Sequence, residues 1–383
     1  MSSSRDVLQR LVEFDTTSRE SNLQLIEFVR DYLASFDVSC DLIYNEQRSK
    51  ANLFATIGPA HLPGIVLSGH TDVVPVDGQA WTVAPFELTE RDGKLFGRGT
   101  ADMKGYIACV LALVPSLVNA SLRLPVHIAL SYDEEVGCLG VRSLLAELEQ
   151  RPVKPMLCII GEPTELKPVL GHKGKLAMRC DIQGEACHSA YAPLGVNAIE
   201  YAAELIGELG RIGSRLKAPE HHDVRFDPPF STVQTGVISG GKALNIVPAD
   251  CRFDFEIRAL PTDDPRMVAQ ELQTYADQQL LPRMKAVSEQ SEIRFSELSA
   301  YPGLATDARS EAAELIAAFC GSREFATVAF GTEGGLFNAA GIPTVVCGPG
   351  SMDQGHKPDE FISLDQLNGC DEMLHRMLLS ISG

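Results

Sequence analysis

Four stretches of nearly unbroken apolar residues recur along this sequence, at 65–69 (IVLSG), 126–132 (VHIALSY), 156–160 (MLCII) and 343–347 (PTVVC). Such runs mark strands covered on both faces, as in a parallel sheet sandwiched between helices. The first three end directly in polar residues: His70-Thr71-Asp72, Asp133-Glu134-Glu135 and Gly161-Glu162-Pro163-Thr164. The fourth runs into a glycine-rich loop that reaches His356. In an open parallel sheet, the loops beyond the carboxyl ends of the strands converge on one crevice. The pattern therefore predicts an α/β fold, a mostly parallel central sheet flanked by helices.

At 383 residues the chain is too long for one ordinary core. Helical spacing predicts two amphipathic helices within 4–36, an apolar helix over 103–118, and others over 141–149 and 309–319. Residues 52–57 read as a further strand, and 73–99 as a loop rich in Gly and Pro. The texture changes after about Lys175. There, alternating strands at 176–184, 231–239, 245–260 and 293–298 are separated by helices at 197–216 and 265–284, an order β-α-β-β-α-β (ferredoxin-like). This places an inserted domain at 177–293 inside a catalytic domain made of 1–176 and 294–383.

The formal charge of −18 leaves no basic surplus for phosphates, so nucleic acid is not an expected partner. No apolar run approaches the roughly 20 residues of a membrane span, so no membrane association is expected. The first residues, MSSSRDVLQRLVEFD, lack the apolar centre of a secretory signal, and ten scattered cysteines without a CxxC pair read as reduced thiols. A cytoplasmic setting is the expectation. Phosphate-loop signatures are absent. Cys187-His188 is a poor nucleophile–base pair, because neighbouring residues of a strand point to opposite faces.

The strand-end residues carry the chemistry. Each alone reads as a turn histidine or a solvated acid. Together His70, Asp102, Glu134, Glu135, Glu162 and His356 would repel strongly unless cations sat among them. Imidazole and carboxylate without thiolate suit zinc, with cobalt or manganese as substitutes. Five ligands exceed what one catalytic zinc takes. They suit two metals about 3.5–4 Å apart that share a carboxylate. Asp102 is the natural bridge, since a neutral imidazole cannot span two ions. Asp72, two positions after His70, could fix that imidazole's far nitrogen.

HTD, GRGTADMKG, DEE, GEPT and GHKPDEF, in this order, resemble the aminoacylase/carboxypeptidase family of two-zinc amidohydrolases. The resemblance implies two Zn ions per chain, His70 and Glu162 on one, Glu135 and His356 on the other, Asp102 between them. It implies Glu134 as general base toward a metal-activated water, Asp72 as the orienter of His70, and the inserted domain as a lid through which a homodimer forms. It also implies His188 (in EACHSA) as an oxyanion-stabilising residue that reaches a neighbouring subunit's site. Asn245 and Arg258 would be substrate-binding residues, with Arg258 suited to a carboxylate. Glu333 in GTEGG could meet a substrate cation, although a solvated loop acid is the plainer reading. GEPTELKPVLGHKG, HSAYAPLGVNAIE and GPGSMDQGHKPDEF resemble the branch that hydrolyses N2-acetyl-L-ornithine to ornithine and acetate, a step of arginine biosynthesis. Desuccinylation of succinyl-diaminopimelate and a broader N-acyl amino acid hydrolysis are the alternatives. A non-catalytic binding relative of the fold is disfavoured, because every ligand and the base are in place.

Overall fold

The computed structural model describes residues 3–383. The chain divides into two compact units. The first takes in the sequence up to Gly171, then Leu304–Thr327 and Thr332–Gly383; the second comprises His172–Gly303 and Val328–Gly331.

The first unit is built on a nine-stranded sheet. Its centre is parallel: Val126–Ser131, Ile65–His70, Leu157–Pro163 and Thr344–Gly348 lie side by side in that order. Every residue of these four strands is buried, as expected of strands covered on both faces. Ala51–Ile57 joins antiparallel to Val126–Ser131, and Cys40–Tyr44 antiparallel to Ala51–Ile57. The covering helices include Ser4–Val12, Leu23–Ala34, Lys104–Asn119, Val141–Glu149, Glu311–Cys320 and Leu364–Ile381. Lys104–Asn119 is apolar almost all round and packs between Ser4–Val12 and Leu364–Ile381. Ser4–Val12 starts at a reciprocal cap: the Ser3 hydroxyl accepts from the Asp6 amide at 3.2 Å, and the Asp6 carboxylate accepts from the Ser3 amide at 3.1 Å.

The second unit is a four-stranded antiparallel sheet, ordered Thr232–Gly240, Asp250–Ala259, Gly174–Gln183, Glu292–Tyr301. Burial alternates along Gly174–Gln183 and Asp250–Ala259, so one face is covered. The helices Ala198–Leu216 and Pro265–Tyr275 pack on the sheet. Edges drawn at 177 and 293 cut through two of these strands, whose pairing runs on to Lys175 opposite Tyr301. A strand with one solvated face admits polar residues such as Lys175, Ser296 and Glu297, so apolar content understates its length. The single helix expected over 265–284 is interrupted by a widened turn, Ala276–Leu280, just before Pro282, which has no N–H to donate. Among the described residues, no helix is long and apolar enough to cross a membrane.

Candidate metal centre

Register places the site. His70 lies opposite Ser131, Ser68 opposite Ile160, and Gly348 opposite Pro163, so the carboxyl ends of the parallel strands are level. His70 and Glu162 lie within two of these strands, near their ends. Glu134 and Glu135 follow Val126–Ser131, and His356 stands on the loop after Thr344–Gly348. Asp102 comes two residues before the helix Lys104–Asn119.

These side chains form two clusters that share one acid. His70 Nε2 is 3.0 Å from Asp102 Oδ1 and 3.7 Å from Glu162 Oε1. His356 Nε2 is 3.3 Å from Asp102 Oδ2 and 3.0 Å from Glu135 Oε2. Each of Asp102's oxygens therefore serves a different imidazole. Within His70–Asp102–Glu162, and within Asp102–Glu135–His356, the candidate ligand atoms lie no more than 4.8 Å apart.

The electrostatics test whether cations fit. Burial pushes the Glu162 and Glu134 carboxyls well above the usual range, and neighbouring carboxylates push them further. Burial and Asp102 raise Glu135 to about 7. Burial also works against ionised Asp102, yet His356 and His70 hold it low. Hydrogen bonds to Asp102 and Glu135 raise His356 to about 10. Acids so crowded stay ionised together only beside positive charge. Two divalent cations would supply it, and the donor set is the imidazole and carboxylate mixture that zinc accepts.

Asp72 departs from the simple expectation. His70 Nδ1 sits 2.9 Å from the main-chain oxygen of Asp72, and its carboxylate is further away, at 3.6 Å. That carboxylate instead accepts from the Glu134 amide (3.0 Å), the Glu135 amide (3.3 Å) and the Ser18 hydroxyl (2.7 Å). Asp72 thus fixes the imidazole through its backbone and the Glu134–Glu135 turn through its side chain. The Cys138 thiol donates to Glu134 Oε1 at 3.3 Å.

Glu333 is not a solvated loop acid. It is buried, and its Oε1 has no hydrogen-bond partner. Burial raises it to about 7, against the pull of Ser131 and His70. GTEGG looked open because glycine loops usually lie on the surface. Here Gly334 and Gly335 are themselves buried and begin the helix Gly334–Ala339.

His188, Asn245 and Arg258 belong to the second unit. His188 and Asn245 are exposed. His188 Nδ1 accepts from the Ala190 amide at 3.1 Å, and the Asn245 carbonyl from the Ser189 amide at 3.0 Å. The Arg258 guanidinium is engaged by Glu256 at 3.2 Å and by the Tyr301 hydroxyl at 3.0 Å.

Sequence reading missed a supporting pair inside two motifs that it quoted. Arg98 Nη1 donates to Glu360 Oε2 at 2.6 Å, and both side chains are buried. Glu360 also accepts from the amides of Gly99 (3.0 Å), Ala101 (2.9 Å) and Asp102 (3.1 Å). It therefore holds the turn that delivers Asp102. Arg98 reaches on to Gln79 Oε1 at 2.6 Å and lies over the Trp81 ring. The only sequence signal is one charge in each of GRGTADMKG and GHKPDEF; nothing local reveals that two residues so far apart in the chain are partners.

Residues 66–380 match the peptidase family M20/M25/M40. Acetylornithine deacetylase of Pasteurella multocida (strain Pm70) is 35% identical over 360 residues, 94% of this chain and 91% of that protein. Acetylornithine deacetylase of Myxococcus xanthus is 35% identical over 384 residues, 99% of this chain and 97% of that protein. Among solved structures, an M20 family metallo-carboxypeptidase from Sulfolobus solfataricus has a TM-score of 0.77 at 19% identity, covering 99% of each chain. A dinuclear metal binding peptidase of the M20 family from Bacillus subtilis has a TM-score of 0.67 at 13% identity, over 99% of this chain and 97% of that one. With the family matched across most of its length, and with relatives of this identity over nearly all of it, the chain belongs to peptidase family M20/M25/M40 and is a metal-dependent amidohydrolase.

Proposed function

We propose that this chain is a two-zinc deacylase of N-acyl amino acids, with N2-acetyl-L-ornithine as its substrate and ornithine and acetate as products. The observation that carries the reading is Asp102, one carboxylate between two imidazole–carboxylate clusters. The choice of substrate rests on the relatives named acetylornithine deacetylase.

In this reading His70 and Glu162 would hold one zinc, Glu135 and His356 would hold the other, and Asp102 would offer one oxygen to each cluster. When bound, such a pair of ions acidifies a water and polarises an amide carbonyl. The protein supplies the proton traffic. The Glu134 carboxylate takes a proton from the attacking water and returns it to the departing nitrogen. Its turn is fixed by the Asp72 carboxylate, which accepts from the Glu134 and Glu135 amides.

The second unit is assigned to substrate binding and to pairing of two chains. Arg258 would exchange Glu256 for the substrate carboxylate, a planar fork meeting two oxygens. Asn245 would add a polar contact. His188, exposed, would serve the oxyanion in the partner's site. Support for pairing comes from Thr232–Gly240, a sheet-edge strand with Val237 59% and Ile238 53% exposed. Exposed apolar edges of this kind favour association with another strand.

The test is a panel on purified zinc-loaded protein: N-acetylornithine, N-acetylcitrulline, N-acetylmethionine and N-succinyl-diaminopimelate, with metal content measured in parallel. About two zinc per chain and the highest kcat/KM on N-acetylornithine are expected. Preference for the succinylated substrate would reassign the substrate. Failure to retain two metals would sink the mechanism.

A further inference from the structure

Away from the carboxylates, three sulfur atoms from three elements meet in the first unit's core. Cys320 ends the helix Glu311–Cys320, Cys347 lies in the strand Thr344–Gly348, and Met373 lies in the helix Leu364–Ile381. Cys320 Sγ is 3.4 Å from Cys347 Sγ, and each is 3.6 Å from Met373 Sδ. The triangle is nearly equilateral. Three sulfurs each about 2.3 Å from a central d10 ion would stand about 4.0 Å apart. The triad therefore needs to open by only about half an ångström per side to take such an ion into its plane.

We propose that Cys320, Cys347 and Met373 form a binding site for a soft monovalent cation, Cu(I), separate from the imidazole–carboxylate centre. Two thiolates and a thioether are donors that select Cu(I) over the harder divalent ions. Binding breaks two S–H bonds heterolytically and sends both protons to solvent. Two copper–thiolate bonds and one copper–thioether bond form, with no change of oxidation state. The loaded site carries a net charge of −1, and the Arg376 guanidinium answers it. Arg376 is held beside Cys320 by its Nε, which donates to the Phe319 carbonyl at 2.5 Å. The same cation helps to draw the Cys320 thiol below its ordinary range, after the larger effect of the Cys347 contact. Cys320 is partly exposed, whereas Cys347 and Met373 are buried, so an ion would enter past Cys320.

The experiment is anaerobic titration of the zinc-loaded full-length protein with Cu(I) in acetonitrile, against a sulfonated bathocuproine chelator. Retained copper per chain and the copper K-edge EXAFS are read together. One retained Cu(I) with three sulfur neighbours is the expected result. Cys320→Ser and Cys347→Ser should each weaken binding by more than the roughly 10–100-fold that loss of an outer-shell partner costs. Met373→Leu, nearly volume-conserving, should leave a weaker two-sulfur site and an unchanged melting curve. Cys187→Ser, in the second unit, should change nothing. If Cys347→Ser does not fold, Cys320→Ser and Met373→Leu carry the test. Nitrogen or oxygen donors in the spectrum would overturn the proposal. So would equal copper retention by wild type and Cys320→Ser. No retained copper, with both thiols still free by thiol titration, would overturn it as well.

Discussion

Asp102 meets an imidazole at each oxygen, whereas Glu134 meets none and is left with the Cys138 thiol. In the proposed mechanism that difference separates a ligand from a base. Glu134→Gln keeps the size and the backbone anchors but cannot accept a proton. It should retain both metals and lower kcat by about 10²–10⁴-fold, measured by metal analysis alongside steady-state rates. Loss of metal with activity would move Glu134 among the ligands. Glu333 is buried, its carboxyl acted on by Ser131, His70 and Asp72, and in the proposed reading it balances charge around His70 rather than meeting a substrate cation. Glu333→Gln should therefore slow N-acetylornithine and N-acetylmethionine alike; selective loss on the cationic substrate would restore the other role. Glu360→Gln strands Arg98, a buried charge. It should cost about 3–5 kcal/mol in chemical denaturation and loosen metal binding. The Arg98→Met/Glu360→Gln double variant should be less destabilised than Glu360→Gln, which a denaturant titration of both would decide. At this scale the motif acids and histidines were legible in the sequence. Two of their surroundings were not: Asp72 uses its carbonyl where its side chain was expected, and Glu333 is buried where solvent was expected.

The elements that carry the site were legible because their apolar runs are unbroken. A strand buried on both faces has no polar positions to blur its limits, and 126–132 and 343–347 lie within a residue or so of Val126–Ser131 and Thr344–Gly348. Elements with weaker signals were lost. The strand Cys40–Tyr44 is half exposed at the sheet edge, and Thr89–Arg91 with Lys94–Phe96 forms a short hairpin within a stretch read as loop. Leu364–Ile381 was overlooked although Leu367, Cys370, Leu374, Met377, Leu378 and Ile381 keep helical spacing and Ser363 caps it. Close packing between elements is testable at Gly161, one residue before Glu162. A Cβ there would stand 2.0 Å from the Tyr106 ring on the helix Lys104–Asn119. Gly161→Ala should lower unfolding free energy by at least about 3 kcal/mol, the upper part of the usual overpacking range. Tyr106→Leu in the same chain should recover part of it; a Gly161→Ala variant that melts like wild type would contradict this packing.

For the whole molecule, the exposed apolar edge Thr232–Gly240 bears on assembly. Light scattering should find a dimer for the native chain, and replacing Val237 and Ile238 by Lys should shift it toward monomer, as charged edges do. An unchanged mass would place the interface elsewhere. The sequence alone determined that strands buried on both faces end in histidines and carboxylates, since periodicity and the sudden change from apolar to polar are local properties. It also determined that a second, alternating segment interrupts them. Tertiary structure decided that the Asp72 carboxylate anchors the Glu134–Glu135 turn, that Glu360 and Arg98 hold the turn delivering Asp102, and that three sulfurs meet in the core. The physical reason is distance along the chain: these contacts join residues tens to hundreds of positions apart, and side-chain pairing at such range is fixed by sheet register and helix packing, which no local pattern encodes.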